Sequence, residues 1–201
     1  MWIIPILALW NLEKRFLNCS GGLQTSIKCG RLKSQDLEAF RYKTQMVKRK
    51  RNRLNLSLYK GIKAYFVTIC TENQQKVFTN TKTIAEHLKL LNSCCKKEKF
   101  SVWAYCFMPD HLHLLLIAKE NSDLIKFIRI YKQLSGYEYK QGTGKVLWQK
   151  SFYDHILRKE ENIPEVIKYI LENPVRKGLV EYFADYPLSG SLEFGKEVFK
   201  M

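Results

Sequence analysis

The chain has 201 residues, 46% hydrophobic and 13% aromatic, which suits one domain with a terminal extension and excludes wholesale disorder. Its formal net charge of +15, from 34 Lys and Arg against 19 Asp and Glu, points to a polyanionic partner with nucleic acid first; a solvated lysine-rich surface is the plain alternative. Six cysteines without CxxC spacing make neither a disulfide framework nor a zinc ribbon and fit a reducing cytoplasm.

In chain order, the opening MWIIPILALW is apolar for only about ten residues, too short to span a bilayer, and no other segment reaches that length. No membrane partner is therefore expected. Residues 1–45 show no sustained period, and GGLQTSIKCG reads as loop. They are expected to form an N-terminal extension, either disordered or the product of an over-long start-codon choice. The folded domain is placed at 46–190 and a C-terminal tail at 191–201. The basic run Lys48–Arg53 reads equally as a phosphate-contacting arm or a solvated tail.

Ala64–Cys70, rich in β-branched and aromatic residues, predicts a strand. Thr83–Lys97 carries Ile84, Leu88, Leu91 and Cys95 at helical spacing. Phe100–Phe107 and His111–Ala118 are two further strands, joined by turn chemistry at Met108–Pro109–Asp110. Asp123–Lys140 returns to helical spacing, with Leu124, Phe127, Ile128, Tyr131 and Leu134 on one side. Val146–Leu157 is extended, and Ile163–Asn173 is a helix with Pro164 in its first turn and Pro174 as its stop. This order predicts an α+β fold, a βαββαβ antiparallel sheet backed by helices with a further C-terminal helix.

Two of the chain's four histidines form His111–Leu112–His113. On a strand they share a face, about 7 Å apart along the chain, and could hold one divalent cation; two polar residues at a strand start are the plain alternative. Tyr169 and Asn173 lie four apart on the last helix, on one stripe. The amide oxygen suits a hard cation and the hydroxyl could attack phosphorus; a half-buried tyrosine and a helix-terminal asparagine are the alternative. His87, on a polar helical stripe, is expected at the surface.

The string MPDHLHLLL resembles the His–hydrophobic–His motif of single-tyrosine transposases. LWQKSFYDHILR and YILENPVRKGLV resemble the REP-associated tyrosine transposases, one branch of that family, and RKRNRLNLSLYKGIKAYFVTICTENQQKVF is similar to the family's N-terminus. The resemblance spans roughly residues 46–190. It implies a ferredoxin-like fold, a metal site of His111, His113 and Asn173 taking Mg²⁺ or Mn²⁺, and Tyr169 as nucleophile. Asn rather than Gln at position 173 favours the REP-associated branch. The implied activity is cleavage of single-stranded or hairpin DNA through a 5′-phosphotyrosine link, followed by strand rejoining, in the bacterial cytoplasm by a monomer or homodimer.

Tyr131, Tyr137 and Tyr139 are rival nucleophiles by position. Asp110 either orients a motif histidine as a supporting carboxylate or is only a turn residue. Arg129, Lys132 and Arg158 are the expected phosphate contacts, drawn from a set that also includes Lys126, Arg176 and Lys177. Trp148 is expected to stack on unpaired bases. Each of these could equally be solvated charge or core aromatic. Two other classes of function stay open: a replication-initiator or relaxase-type nickase, and a basic nucleic-acid-binding module that has lost cutting.

Overall fold

The computed structural model describes residues 59–158, 161–195 and 198, all within the unit Arg51–Met201. The expected extension 1–45 and the basic run Lys48–Arg53 lie outside the described residues.

Five strands form one antiparallel sheet: β1 (Ala64–Cys70), β2 (Phe100–Met108), β3 (His111–Ala118), β4 (Tyr153–Ile156) and β5 (Ser189–Gly190). Their order, β4-β1-β3-β2-β5, is the ferredoxin-like arrangement with one short strand added at the β2 edge. Four helices complete the fold: α1 (Thr81–Glu98), α2 (Leu124–Thr143), α3 (Ile163–Leu171) and the single turn α4 (Asn173–Arg176).

Local sequence explains the helix bounds. Asn80 and Asp123 cap α1 and α2 by accepting the backbone N–H groups of Thr83 and Lys126, at 2.9 and 3.0 Å. Lys99 and Gly144 close them in the left-handed conformation. The Pro109–Asp110 turn between β2 and β3 is held from outside. Val77 and Phe78 donate to the Pro109 carbonyl, and the Thr71 N–H and hydroxyl donate to that of Asp110. The start of β3 is thereby fixed where the histidines stand.

Direct partners in an antiparallel pair share a face. Register places Phe66, Thr68 and Cys70 of β1 opposite Leu115, His113 and His111 of β3, with Cys106 and Met108 of β2 and Tyr153 and His155 of β4 on the same side. Helix α3 covers this face, the Tyr169 ring meeting Phe66 edge-on at 5.9 Å. The other face carries Leu112, Leu114 and Phe107 and is covered by α1 and α2, whose Phe127 packs on Phe100 at 4.7 Å.

Several expectations are corrected. First, the buried stripe of α1 runs through Ile84, His87, Leu91, Cys94 and Cys95, so His87 is a core residue rather than a surface one. Its ring packs on Phe78, Phe107 and Trp148 and its Nδ1 lies 3.1 Å from the Tyr131 hydroxyl. Second, Leu134 is 44% exposed and Ser135 takes its expected place in the core, donating to the Tyr131 carbonyl and accepting from Trp148 Nε1. Third, regular strand in 146–157 is confined to Tyr153–Ile156, because the upstream part follows the aromatic cluster under α2 instead of β1, apart from one bridge between Trp148 and Thr71. Residues Ser191–Phe194, expected in a tail, run along β2: Leu192 N–H and the Ser191 hydroxyl donate to the Val102 carbonyl, and Phe194 packs on Trp103.

Fourth, Pro174 opens α4 rather than ending the helical path. Lacking an N–H, it leaves the Ile170 carbonyl without its helical partner. The Asn173 side chain supplies the donor instead, its Nδ2 lying 3.2 Å from the carbonyls of both Ile170 and Tyr169. A four-residue helix follows, and Tyr169, Asn173 and Arg176 stay in mutual contact, Arg176 donating to the Tyr169 carbonyl and to Asn173 Oδ1.

Burial lowers His87 from 6.5 to about 4. A folded-state value below the unfolded one means that the stability is fully present above pH 6.5 and is lost as pH falls from there towards about 4. Urea unfolding of the wild type should weaken by roughly 2–3 kcal/mol over that window, and His87→Gln should flatten the dependence. Asn173→Ala strips donors from two buried carbonyls and should cost about 1–3 kcal/mol of unfolding free energy with or without divalent cations; an unchanged denaturation midpoint would refute the capping role.

Candidate active site

The two histidines project from β3 onto the α3 side of the sheet, His113 almost fully buried and His111 at its margin, 9% exposed. Each ring is gripped at Nδ1. His111 Nδ1 lies 2.6 Å from Asp110 Oδ1, and His113 Nδ1 lies 2.9 Å from Thr68 Oγ1 across the β1–β3 ladder. The Nε2 atoms consequently face each other 3.0 Å apart. Two cis ligands, each about 2.1 Å from one octahedral cation, are separated by about 3 Å. The pair therefore fits a divalent ion, with a carboxylate and a hydroxyl behind the ligands to set their tautomers. Among the described residues there is no group of three or more His, Cys, Asp or Glu that could hold a metal, so further donors must be of another kind.

Asp110 sits in the turn and bonds His111 Nδ1 as well. Burial pushes its carboxyl up, but the hydrogen bond and charge of His111, its own backbone and the charge of Lys177 outweigh this and hold it below its usual value. Its carboxylate oxygen is placed to accept from His111 Nδ1, an arrangement that would leave the Nε2 lone pair for a cation.

Tyr169 reaches this site through one intervening ring. Phe66 stacks on His113 with centroids 5.6 Å apart and touches Tyr169 edge-on. The phenol is 6% exposed, with the Arg176 guanidinium carbon 4.1 Å above its ring centre. Asn173 is buried, and its amide is spoken for on both sides: Nδ2 on the helix carbonyls, Oδ1 accepting from Arg176 at 2.8 Å. Its oxygen retains a second lone pair.

The rival tyrosines fall elsewhere. Tyr131 is fully buried behind the sheet, bound to His87, and its hydroxyl is pushed well above its ordinary value by burial. Tyr137 and Tyr139 also belong to α2, on the face away from the histidines.

The expected DNA contacts divide. Trp148 is a core residue, 6% exposed, packed on Phe78, His87 and Tyr131 with its Nε1 donating to Ser135. It is not placed to stack on a base, a correction that follows from its pairing with the buried Ser135. Lys132 is a strut: its Nζ donates to the carbonyls of Gln149, Lys150 and Ser151. Arg129 is exposed, but on α2, in the layer behind the sheet. Arg158 is exposed just beyond β4, its N–H held by Glu161. The cations whose charge is felt at the site face are Arg176, which acts on Cys106, and Lys177, which acts on Asp110. Sequence reasoning passed over Phe66 and Thr68. Thr68 was legible only through its register with His113, and Arg176 through its i+7 spacing from Tyr169.

Residues 58–173 match the family described as "Transposase IS200 like". A Haemophilus influenzae protein assigned as a REP-associated tyrosine transposase is 29% identical over 137 residues, covering 62% of this chain and 77% of the relative. The Escherichia coli K12 REP-associated tyrosine transposase is 24% identical over 129 residues, covering 62% and 74%. A solved REP-associated tyrosine transposase, described as bound to a REP hairpin, superposes with a TM-score of 0.57 at 22% identity over 68% of this chain and 79% of its own, a likeness of fold. With more than half of its length inside the matched region, and with relatives among the REP-associated tyrosine transposases, the chain belongs to the IS200-like transposase family.

Proposed function

We propose that this transposase is a metal-dependent single-strand DNA endonuclease and strand transferase that cleaves hairpin DNA, with Tyr169 as nucleophile. The observation that carries the reading is the convergence, on one sheet face, of two imidazole Nε2 atoms 3.0 Å apart with a phenol one ring away. A mere binding module has no need of a carboxylate and a hydroxyl holding two imidazoles nose to nose. A cytoplasmic setting fits the free cysteines.

In this reading the Tyr169 oxygen forms a bond to phosphorus as the bond from phosphorus to the 3′-oxygen breaks. The phenol proton passes to solvent and the departing 3′-oxygen takes one up. The resulting 5′-phosphotyrosine keeps the phosphodiester energy, so attack by a 3′-hydroxyl rejoins a strand without ATP. Mg²⁺ or Mn²⁺, held by His111 and His113 with Asn173 Oδ1 as a further donor, supplies Lewis-acid polarisation of the phosphate when bound. Asp110 and Thr68 keep both imidazoles aimed, and Phe66 screens the space between ligand and nucleophile from water. Lys177 and Arg158 are the cations suited to the strand's phosphates. Hairpin DNA as the substrate class is supported by the solved relative, which is described on a REP hairpin.

The test is incubation with labelled hairpin DNA and Mg²⁺ or Mn²⁺, followed by denaturing electrophoresis. A covalent protein–DNA adduct is expected for the wild type and not for Tyr169→Phe; an undiminished adduct in the variant removes Tyr169 from its role. Asp110→Asn should raise the half-saturating Mn²⁺ concentration for adduct formation by roughly 10–100-fold, leaving metal-free DNA binding as it was. A metal dependence identical to wild type would reduce Asp110 to a turn residue.

A further inference from the structure

The stripe that carries Tyr169 and Asn173 has a third member, and its contacts bind the other two together. Arg176 Nη2 donates to the Tyr169 carbonyl and to Asn173 Oδ1, both at 2.8 Å, while its guanidinium carbon stands 4.1 Å above the phenol ring. Its remaining terminal nitrogen lies 3.9 Å from Glu172 Oε2, across the exposed side of α4. The Asn173 amide thus has no rotational choice. Nδ2 is spent on the Tyr169 carbonyl and on the Ile170 carbonyl that Pro174 leaves without its helical donor, and Oδ1 is aimed by the guanidinium.

Phe66 meets the phenol edge-on, and the guanidinium lies over its face. A planar cation suits this place for two reasons: it covers an aromatic face and donates in its own plane at once. An ammonium could make the hydrogen bonds but not the cover.

We infer that Arg176 is a positioning residue for strand cleavage, locking the phenol of Tyr169 and the amide oxygen of Asn173 into one unit so that nucleophile and oxygen donor approach the imidazole pair together. The inference rests on the reading of Tyr169 as nucleophile. An alternative is that Arg176 merely caps α3, stabilising the fold with no effect on the chemical step. Another is that it grips a phosphate, in which case affinity for DNA is what it controls.

Three measurements on the full chain separate these roles: single-turnover adduct formation at saturating hairpin DNA and Mn²⁺, hairpin affinity without metal, and the thermal midpoint. Arg176→Met is expected to slow adduct formation at least tenfold, with hairpin affinity within about threefold of wild type and the fold intact. Arg176→Lys, which keeps the charge and two donors, is expected to recover only part of that rate at unchanged affinity. If Arg176→Met does not fold, Arg176→Lys decides alone, and a rate at least fivefold below wild type at equal affinity supports the inference. A wild-type rate in Arg176→Lys overturns it, as does a rate loss in either variant that vanishes once DNA affinity is corrected for. Tyr169→Phe runs beside them. An adduct from that variant defeats the nucleophile assignment itself, whereas its absence together with normal rates in both Arg176 variants defeats only the positioning role.

Discussion

Each imidazole of the site is held from behind, His111 by Asp110 and His113 by Thr68, and everything at the front follows from that grip. A histidine has two nitrogens, and a protein that wants one of them for chemistry must occupy the other. Here one anchor is local, a neighbour in the same turn, and the other is remote, a residue on the adjacent strand. The remote anchor depends on the β1–β3 register, which sets Thr68 against His113. A one-residue slip would turn the whole alternate set of β1 side chains to the other face and bring an aliphatic residue to that position. The hydrogen bonds that pin the Pro109–Asp110 turn to residues 71, 77 and 78 guard against such a slip, because they fix where β3 begins.

The second half of the site is a helix that breaks at Glu172 and resumes at Asn173. Proline at 174 removes a donor, and in most helices the path would end there. The residue before it makes good the loss with its own side chain, and α4 follows at once. One asparagine is therefore both a structural cap and the amide suited to a hard cation. Hydrogen bonds at both ends of the amide allow its almost complete burial, unusual for so polar a side chain.

Charge alone did not locate the candidate site. The basic residues Lys126, Arg129, Lys132 and Lys140 belong to α2, behind the sheet, and Lys132 is absorbed by three loop carbonyls. Arg176 and Lys177 follow α3 and sit within electrostatic reach of the site face. The behaviour of aromatic and imidazole side chains was equally hidden: Trp148 reads as a base-stacking residue and His87 as a surface one, and both close the core under α1 and α2. Their partners come from other elements (Ser135 for the indole, Tyr131 for the imidazole), so no local pattern announced the burial.

The element order, the bounds of β1 and β3, and the shared face of His111 and His113 were legible in the chain itself, because side-chain alternation and helical spacing are local properties of the backbone. So was the stripe of Tyr169 and Asn173, which depends only on the helical repeat. Pairing between strands could not be read this way. Which residue stands behind His113, which ring separates it from the phenol, and which cations share the site's face are decided by contacts between residues 45 to more than 100 positions apart. Register and layer order set those contacts, and both emerge only when the sheet closes and the helices choose their faces.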